Sequence, residues 1–127
     1  FNFEIDIEPA EHKIEIIKAD LAEDELSCNR NTEIDVTVQN TGSESEDVVV
    51  RITSGDLNLD FKEEINDLPP EERKRSKSKH NFNVPLPVKD NVKPGTYEIT
   101  VKTYVDRGEL SDSKQVDVRI DECISKT

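Results

Sequence analysis

Apolar and polar residues alternate at every second position in several separated segments, and this pattern constrains the fold more than any other feature of the sequence. In the segment from Thr32 to Asn40, isoleucine and valine occupy positions 34, 36 and 38, with polar side chains between them. Because successive side chains of a β-strand point to opposite faces, such a segment forms a strand with one buried face and one solvated face. The chain is therefore predicted to be rich in β-strands.

Seven segments of this kind follow one another, separated by residues typical of turns, such as Asn40-Thr41-Gly42 and Lys93-Pro94-Gly95. Their predicted inward positions are Ile14 and Ile16; Ile34, Val36 and Val38; Val48, Val50 and Ile52; Leu57, Leu59 and Phe61; Phe82, Val84 and Leu86; Tyr97, Ile99 and Val101; and Val116, Val118 and Ile120. No segment longer than one turn has a helical period. The sequence predicts an all-β fold, an immunoglobulin-like antiparallel β-sandwich of about seven strands plus an N-terminal extension strand.

The extension strand comes from a further alternating segment that precedes the seven. Its apolar positions are Phe1, Phe3, Ile5 and Ile7. Pro9 separates this segment from the rest, so residues 1–11 are expected to form an extension strand or linker, residues 12–123 the sandwich domain and residues 124–127 a C-terminal tail. Three arrangements are open for the strand: it pairs within its own domain, it belongs to a preceding domain, or it is donated to an open sheet edge of a neighbouring subunit.

The composition requires disorder to be considered, because only 32% of the residues are hydrophobic and the formal net charge is −12. Globular chains usually contain about 45–50% apolar residues with glycine included. A disordered acidic chain scatters its apolar residues, whereas here they keep a two-residue spacing, which favours a folded domain with a thin core. The negative charge argues against nucleic acid as a partner, and no apolar run is long enough for direct membrane insertion.

Two cysteines lie near the ends of the predicted sandwich: Cys28 before the second strand and Cys123 after the last. In an up-and-down count of seven antiparallel strands these positions fall at the same end, so a Cys28–Cys123 disulfide is geometrically reasonable. Two unrelated buried thiols are the alternative. A bridge would indicate an oxidising compartment and an extracellular or cell-surface location. Two cysteines are too few for a metal–thiolate site.

These features together resemble the cell-adhesion-related immunoglobulin-like domains of bacterial and archaeal surface proteins. The resemblance rests on Cys28, the segment Ile34–Gly42, the segment Lys93–Val101, and Cys123. It implies an extracellular, non-enzymatic module that serves as a spacer, an adhesin or a surface-layer part. It also implies that Tyr97 is the tyrosine near the start of the sixth strand whose hydroxyl bonds to the backbone across a corner, although a simple core aromatic is an equal alternative.

Acidic residues flank both cysteines and form the one candidate metal site. They are Asp20, Glu23, Asp24, Asp121 and Glu122. Calcium takes six to eight oxygen ligands from carboxylates and carbonyls, so calcium is a candidate ligand at this end; no other cofactor is expected. The chain has no Asp-x-Asp-x-Asp-Gly pattern, and a solvated acidic loop is the favoured alternative.

One basic run stands out in this acidic chain, and its members are Arg73, Lys74, Arg75, Lys77 and Lys79. No aromatic residue lies between them, so the run is not typical of a nucleic-acid groove. Exposed solubilising charge is the first interpretation. The second is that the run attracts an acidic face of a neighbouring molecule and fixes the register of an assembly.

Catalysis has little support in the sequence, which has no nucleophile elbow, glycine-rich phosphate loop or zinc-binding helix motif. The only histidines, His12 and His80, are both expected to be exposed. The sequence therefore predicts a non-enzymatic structural module of a surface protein: an adhesin, surface-layer or filament subunit, whose partners are copies of itself or adjacent domains. A calcium- or carbohydrate-binding surface domain is the alternative.

Overall fold

A computed structural model of the 127-residue chain describes residues 12–70, 77–105 and 108–123. The strands are β1 (Ile14–Leu21), β2 (Glu25–Leu26), β3 (Asn31–Asn40), β4 (Glu46–Ser54), β5 (Leu59–Leu68), β6 (Lys79–Pro87), β7 (Gly95–Val105) and β8 (Glu109–Ile120). The described ranges contain no α-helix. Among these residues, no helix is long and apolar enough to span a membrane. The extension strand predicted for Phe1, Phe3, Ile5 and Ile7 lies outside the described residues.

The strands form two sheets, which confirms the predicted β-sandwich. One sheet has the order β1-β3-β6 and the other the order β2-β8-β7-β4-β5. All pairings are antiparallel except that of β2 with β8, which is parallel and joins only two residue pairs. The chain crosses between the sheets after β1, β2, β3, β5 and β6, so strands that follow one another in sequence are not always neighbours in a sheet, and β2 is an additional strand.

The core forms where the alternating residues of the two sheets meet. Every second residue of β4, from Glu46 to Ser54, is buried, and the central part of β7 alternates in the same way. β1 departs from simple alternation because a bulge between Ile16 and Lys18 shifts its phase. Ile17 is 42% exposed, and the shift of phase is seen at Ala19, which is buried although it lies three residues after the buried Ile16.

Two strands differ in length from the predicted segments. The strand expected from Leu57 begins at Leu59, because the preceding residues form a turn in which the N–H of Asn58 donates to the carbonyl of Gly55. Asn58 has a φ of 54°, the left-handed conformation that asparagine tolerates in turns. β8 begins at Glu109 rather than near Gln115, so its first half pairs with β7 beyond the predicted range.

The sandwich has two ends, which we name by their contents. At the disulfide end, β1 and β8 finish and β7 begins, with the bond between Cys28 and Cys123. At the His12 end, β1 begins, and its first residue, Ile14, lies opposite Asn40 at the end of β3. The described residues therefore enter the sandwich at one end and leave it at the other.

The two sides between the sheets are closed by side chains. On one side, the N–H groups of Ile14 and Ile16 donate to Ser111 Oγ (2.7 Å) and Asp112 Oδ2 (2.8 Å), so β8 covers the outer edge of β1. On the other side, the rings of Phe61 on β5 and Phe82 on β6 stack with their centroids 6.3 Å apart. Among the long strands, β1, β5 and β6 have a hydrogen-bonded neighbour on one side only. Because side chains of β8 cover β1, the open edges are those of β5 and β6.

These two open edges differ in what their backbones offer. The N–H of Asn40 donates to the carbonyl of Ser78 (2.9 Å), so even-numbered residues of β6 direct their backbone groups towards β3. Odd-numbered residues face outward, and Pro85 and Pro87 are among them. Since proline has no N–H, the β6 edge lacks two donors. β5 contains no proline, and its edge is complete.

Candidate functional site

The disulfide end is held together by both covalent and backbone bonds. Cys28 and Cys123 are joined across a sequence separation of 95, in agreement with the pairing expected from the sequence. Next to the bond, the N–H of Asp121 donates to the carbonyl of Leu26 (2.6 Å). Arg30 adds a tie from the following loop, because its Nη1 donates to the carbonyl of Val92 (3.2 Å). The bridge thus fixes the chain at the point where it leaves the sandwich.

The predicted acidic residues lie at this end, but they do not converge. Asp20 lies at the end of β1, opposite Asp35 of β3, whereas Asp121 accepts a hydrogen bond from Nε of Arg119 (2.9 Å). Glu23 and Asp24 are exposed between β1 and β2, and Glu122 is exposed after β8. Among the described residues, no three His, Cys, Asp or Glu side chains are grouped so that they could hold a metal ion. Calcium binding here remains a hypothesis from sequence alone.

An ion pair occupies the outer face of the three-stranded sheet near Asp20. Lys18 Nζ lies 2.8 Å from Asp35 Oδ2, and the hydrogen bond from Lys18 is the main cause that lowers the pKa of Asp35 below its ordinary value. A second hydrogen bond, from Asn81, acts in the same direction. Because the folded-state pKa is lowered, this contribution to stability is present at neutral pH and is lost as the pH falls through that lowered pKa.

The His12 end contains a buried polar cluster that the sequence analysis does not identify. Glu46 is fully buried, and its Oε1 contacts Nδ1 of His12, while its Oε2 has no hydrogen-bond partner among the described residues. Asn40, also fully buried, donates to the carbonyls of Glu44 (2.7 Å) and Leu68 (2.8 Å). The sequence could have shown that Glu46 is buried. It lies two residues before Val48, so its side chain points to the same, inward side of β4.

Both histidines contact glutamates; His12 is exposed, as expected, whereas the expectation of an exposed His80 is wrong. His80 is half-buried on β6, and its Nε2 lies 3.1 Å from Oε2 of Glu63 on β5. Together with the contact between His12 and Glu46, this gives two histidine–glutamate pairs, each joining different strands. Neither pair lies beside a serine or cysteine nucleophile in a described cavity.

The basic run is described only in part. Lys77 and Lys79 are exposed at the start of β6, at the His12 end. Arg73, Lys74 and Arg75 lie outside the described residues. The described part of the basic run therefore lies at the end opposite the disulfide end.

The structure confirms the role that the resemblance implies for Tyr97. This residue is half-buried near the start of β7, and its hydroxyl donates to the carbonyl of Lys93, four residues earlier. The bond fixes the corner between the preceding loop and the strand. An aromatic ring that served only the core would not need this hydroxyl.

Replacing Tyr97 with phenylalanine is expected to lower the free energy of unfolding by about 0.5–1.5 kcal/mol, because one hydrogen bond is lost while the ring remains. Urea denaturation measures this loss as a lower midpoint concentration of urea with an unchanged m-value. The matched control is Tyr104→Phe on the same strand, since the Tyr104 hydroxyl has no hydrogen-bond partner among the described residues. Equal effects of the two substitutions would contradict the corner role.

Comparisons with known proteins identify the fold. The sequence matches no protein-family model and no curated protein. Among solved structures, the CARDB domain of the PF1109 protein from Pyrococcus furiosus, which was determined in complex with di-metal ions, has a TM-score of 0.61 and 17% identity. That likeness covers 93% of this chain and 94% of the domain.

Two further solved structures share the architecture. The cupredoxin domain of amoB from Nitrosocaldus yellowstonii has a TM-score of 0.56 at 7% identity and covers 94% of both chains. The alkylpurine DNA glycosylase AlkC of Pseudomonas fluorescens has a TM-score of 0.54 at 12% identity, with 88% of this chain matching 31% of the enzyme. At such identities the likeness shows the fold alone. The chain is an immunoglobulin-like β-sandwich with a coarse structural relationship to CARDB domains.

Proposed function

We propose that this chain is a non-enzymatic structural module of an extracellular surface protein and that it is joined in line to copies of itself or to adjacent domains. The observation that carries the proposal is the entry of the described chain at the His12 end and its exit at the disulfide end. A module with this geometry forms a linear string when its ends are joined to neighbours. The disulfide supports an oxidising, extracellular setting.

Donation of the N-terminal strand is the assembly step that we propose. The edge of β5 supports it as the acceptor, because its backbone is complete and two half-buried apolar residues, Leu59 and Phe61, lie along it. Phe82 of β6 adds a further half-buried ring beside Phe61. A strand with Phe1 and its alternate apolar neighbours on one face would hydrogen-bond to β5 and cover these rings.

The charge distribution supports a head-to-tail arrangement. Asp20, Asp24 and Asp121 lie at the disulfide end, while Lys77 and Lys79 lie at the His12 end. Pairing of Lys77 or Lys79 with one of these carboxylates on a second copy would join unlike ends of the two copies, and such contacts do not close into a dimer. Association of this kind weakens as salt screens the exposed charges.

Deletion of residues 1–9 is expected to leave a folded monomer, because the sandwich retains all of its described strands and loses only the donor. Light scattering of the full chain and of the truncated chain, over a range of concentration, measures the assembly. Circular dichroism checks that the truncated chain still has the strand content of the full chain.

A pair of substitutions within the donor provides the matched control. Phe3→Asp places a charge on the apolar face and is expected to abolish assembly, whereas Glu4→Gln changes the polar face and is expected to leave assembly intact. Assembly that persists after the deletion, or a full chain that stays monomeric at millimolar concentration, would overturn strand donation.

A further inference from the structure

A shallow cleft of about 340 Å³ lies on the outer face of the five-stranded sheet and extends to Gly108, in the connection between β7 and β8. Among the described residues, its lining is Val49, Arg51, Lys62, Tyr104 and Gly108. Two of these residues are cationic and none is acidic, although the chain as a whole has a formal net charge of −12. The half-buried ring of Tyr104 and the side chain of Val49 form an apolar wall beside the cations.

The cations of the cleft belong to a row that crosses three strands. Arg51 of β4 lies directly opposite Lys62 of β5 and, on its other side, directly opposite Lys102 of β7. Side chains at such positions are about 4.5–5.5 Å apart at Cβ, and like charges placed there destabilise a sheet. The row therefore concentrates positive charge on this face, which suits an anionic ligand.

The existing ion pairs leave the row able to bind a further anion. One guanidinium nitrogen of Arg51, Nη2, lies 2.9 Å from Asp60 Oδ1, and this contact raises the pKa of Arg51. Guanidinium has five N–H donors, so further donors remain after this contact. Lys62 contacts Glu64 at 3.1 Å, with both side chains more than half exposed. Such exposed pairs are weak and exchange readily with a competing carboxylate.

The backbone around the cleft restricts the class of ligand. β4 lies between β5 and β7, and β7 lies between β4 and β8, so both strands already have a neighbour on each side. An extended peptide that binds by adding a strand needs unpaired backbone groups, which these two strands do not provide. Recognition at this face depends on side chains: an apolar wall next to cationic donors.

We propose that this cleft binds a uronic acid residue of an acidic polysaccharide. The C–H face of the sugar ring packs against Tyr104 and Val49, and its carboxylate accepts hydrogen bonds from Arg51 and Lys62. A neutral sugar packs against the apolar wall but has no negative charge for the cations. An inorganic anion pairs with the cations but has no apolar face. A uronate combines both properties in one residue. This binding does not depend on strand donation.

The test is calorimetric titration of the full chain with trigalacturonic acid, using neutral galactotriose as the matched ligand. We expect the acidic trisaccharide to bind at least about tenfold more tightly, since charged hydrogen bonds are lost with the neutral one. Arg51→Gln and Tyr104→Ala are each expected to weaken binding about tenfold. Thermal melting of both variants confirms that they fold.

Lys13→Gln is the control variant, because Lys13 is an exposed lysine 3.3 Å from the carboxylate of Glu15, two residues along the chain, and resembles Lys62 in exposure. It is expected to leave the affinity unchanged. Three results would overturn the proposal: no binding of trigalacturonic acid at millimolar concentration, equal affinities of all variants, or equally tight binding of a hexa-aspartate peptide. The last result would identify an unspecific polyanion surface or an acidic-peptide site.

Discussion

Replacement of both Cys28 and Cys123 by serine is expected to lower the free energy of unfolding by about 4–5 kcal/mol. The bond closes a loop with a sequence separation of 95, and loop-closure entropy in the unfolded chain gives a value of this size for about 100 residues. The parallel pairing of β2 with β8 joins only two residue pairs and cannot replace the covalent link. Since small domains have total stabilities of about 5–15 kcal/mol, the loss is a large fraction.

Guanidinium denaturation of the double variant and of the native protein measures this difference. Reduction of the native protein with dithiothreitol provides the internal control, because it removes the same constraint without changing two side chains. A loss below about 1 kcal/mol in both experiments would contradict the stabilising role that loop closure predicts.

Replacement of Ile52 by alanine is expected to cost about 2–5 kcal/mol, because the substitution leaves a cavity in a thin core that has few neighbours able to fill it. Ile52 is fully buried on β4, opposite Val101 of β7 and Phe61 of β5. The substitution therefore removes contacts at the centre of the five-stranded sheet, where both neighbouring strands pack.

Ile17→Ala is the matched control for this prediction, because the same residue type in a strand is 42% exposed there. Its effect is expected to stay within about 0.5 kcal/mol. Urea denaturation of the two variants measures their free energies of unfolding. The difference between them separates the effect of burial from the effect of replacing isoleucine by alanine in a strand. Similar losses in both variants would show that Ile17 is not exposed as described.

Much of the fold could be predicted from the alternation of apolar and polar residues along the strands. Alternation identified β3, β4 and β7 and their buried faces, because a two-residue period has only one structural interpretation when the polar positions are this strongly charged. It did not identify β2, since a two-residue strand has no period. It also did not identify Ala19 as buried, because a bulge changes phase without any proline or glycine to mark it.

The contacts within the candidate sites are not determined by the alternation of apolar and polar residues along each strand. The pairing of the cysteines could be expected because both flank strand ends, whereas the scattered acidic residues could not be resolved into contacts. The row formed by Arg51, Lys62 and Lys102 requires the register of three strands that are distant in sequence. A change of register by one residue would turn one cation to the other face, and no local pattern fixes that register.

The position of the disulfide also determines how tension would pass through the module. A force applied between the two ends enters at His12, follows β1 and β2 to Cys28, and crosses the sulfur–sulfur bond directly to Cys123. The 95 residue steps between the cysteines carry no load, which removes about 320 Å of possible extension. Only β1 and β2 can be pulled out, and β1 is loaded in shear along its ladder with β3. Most of the sandwich can therefore remain folded while the string is under tension.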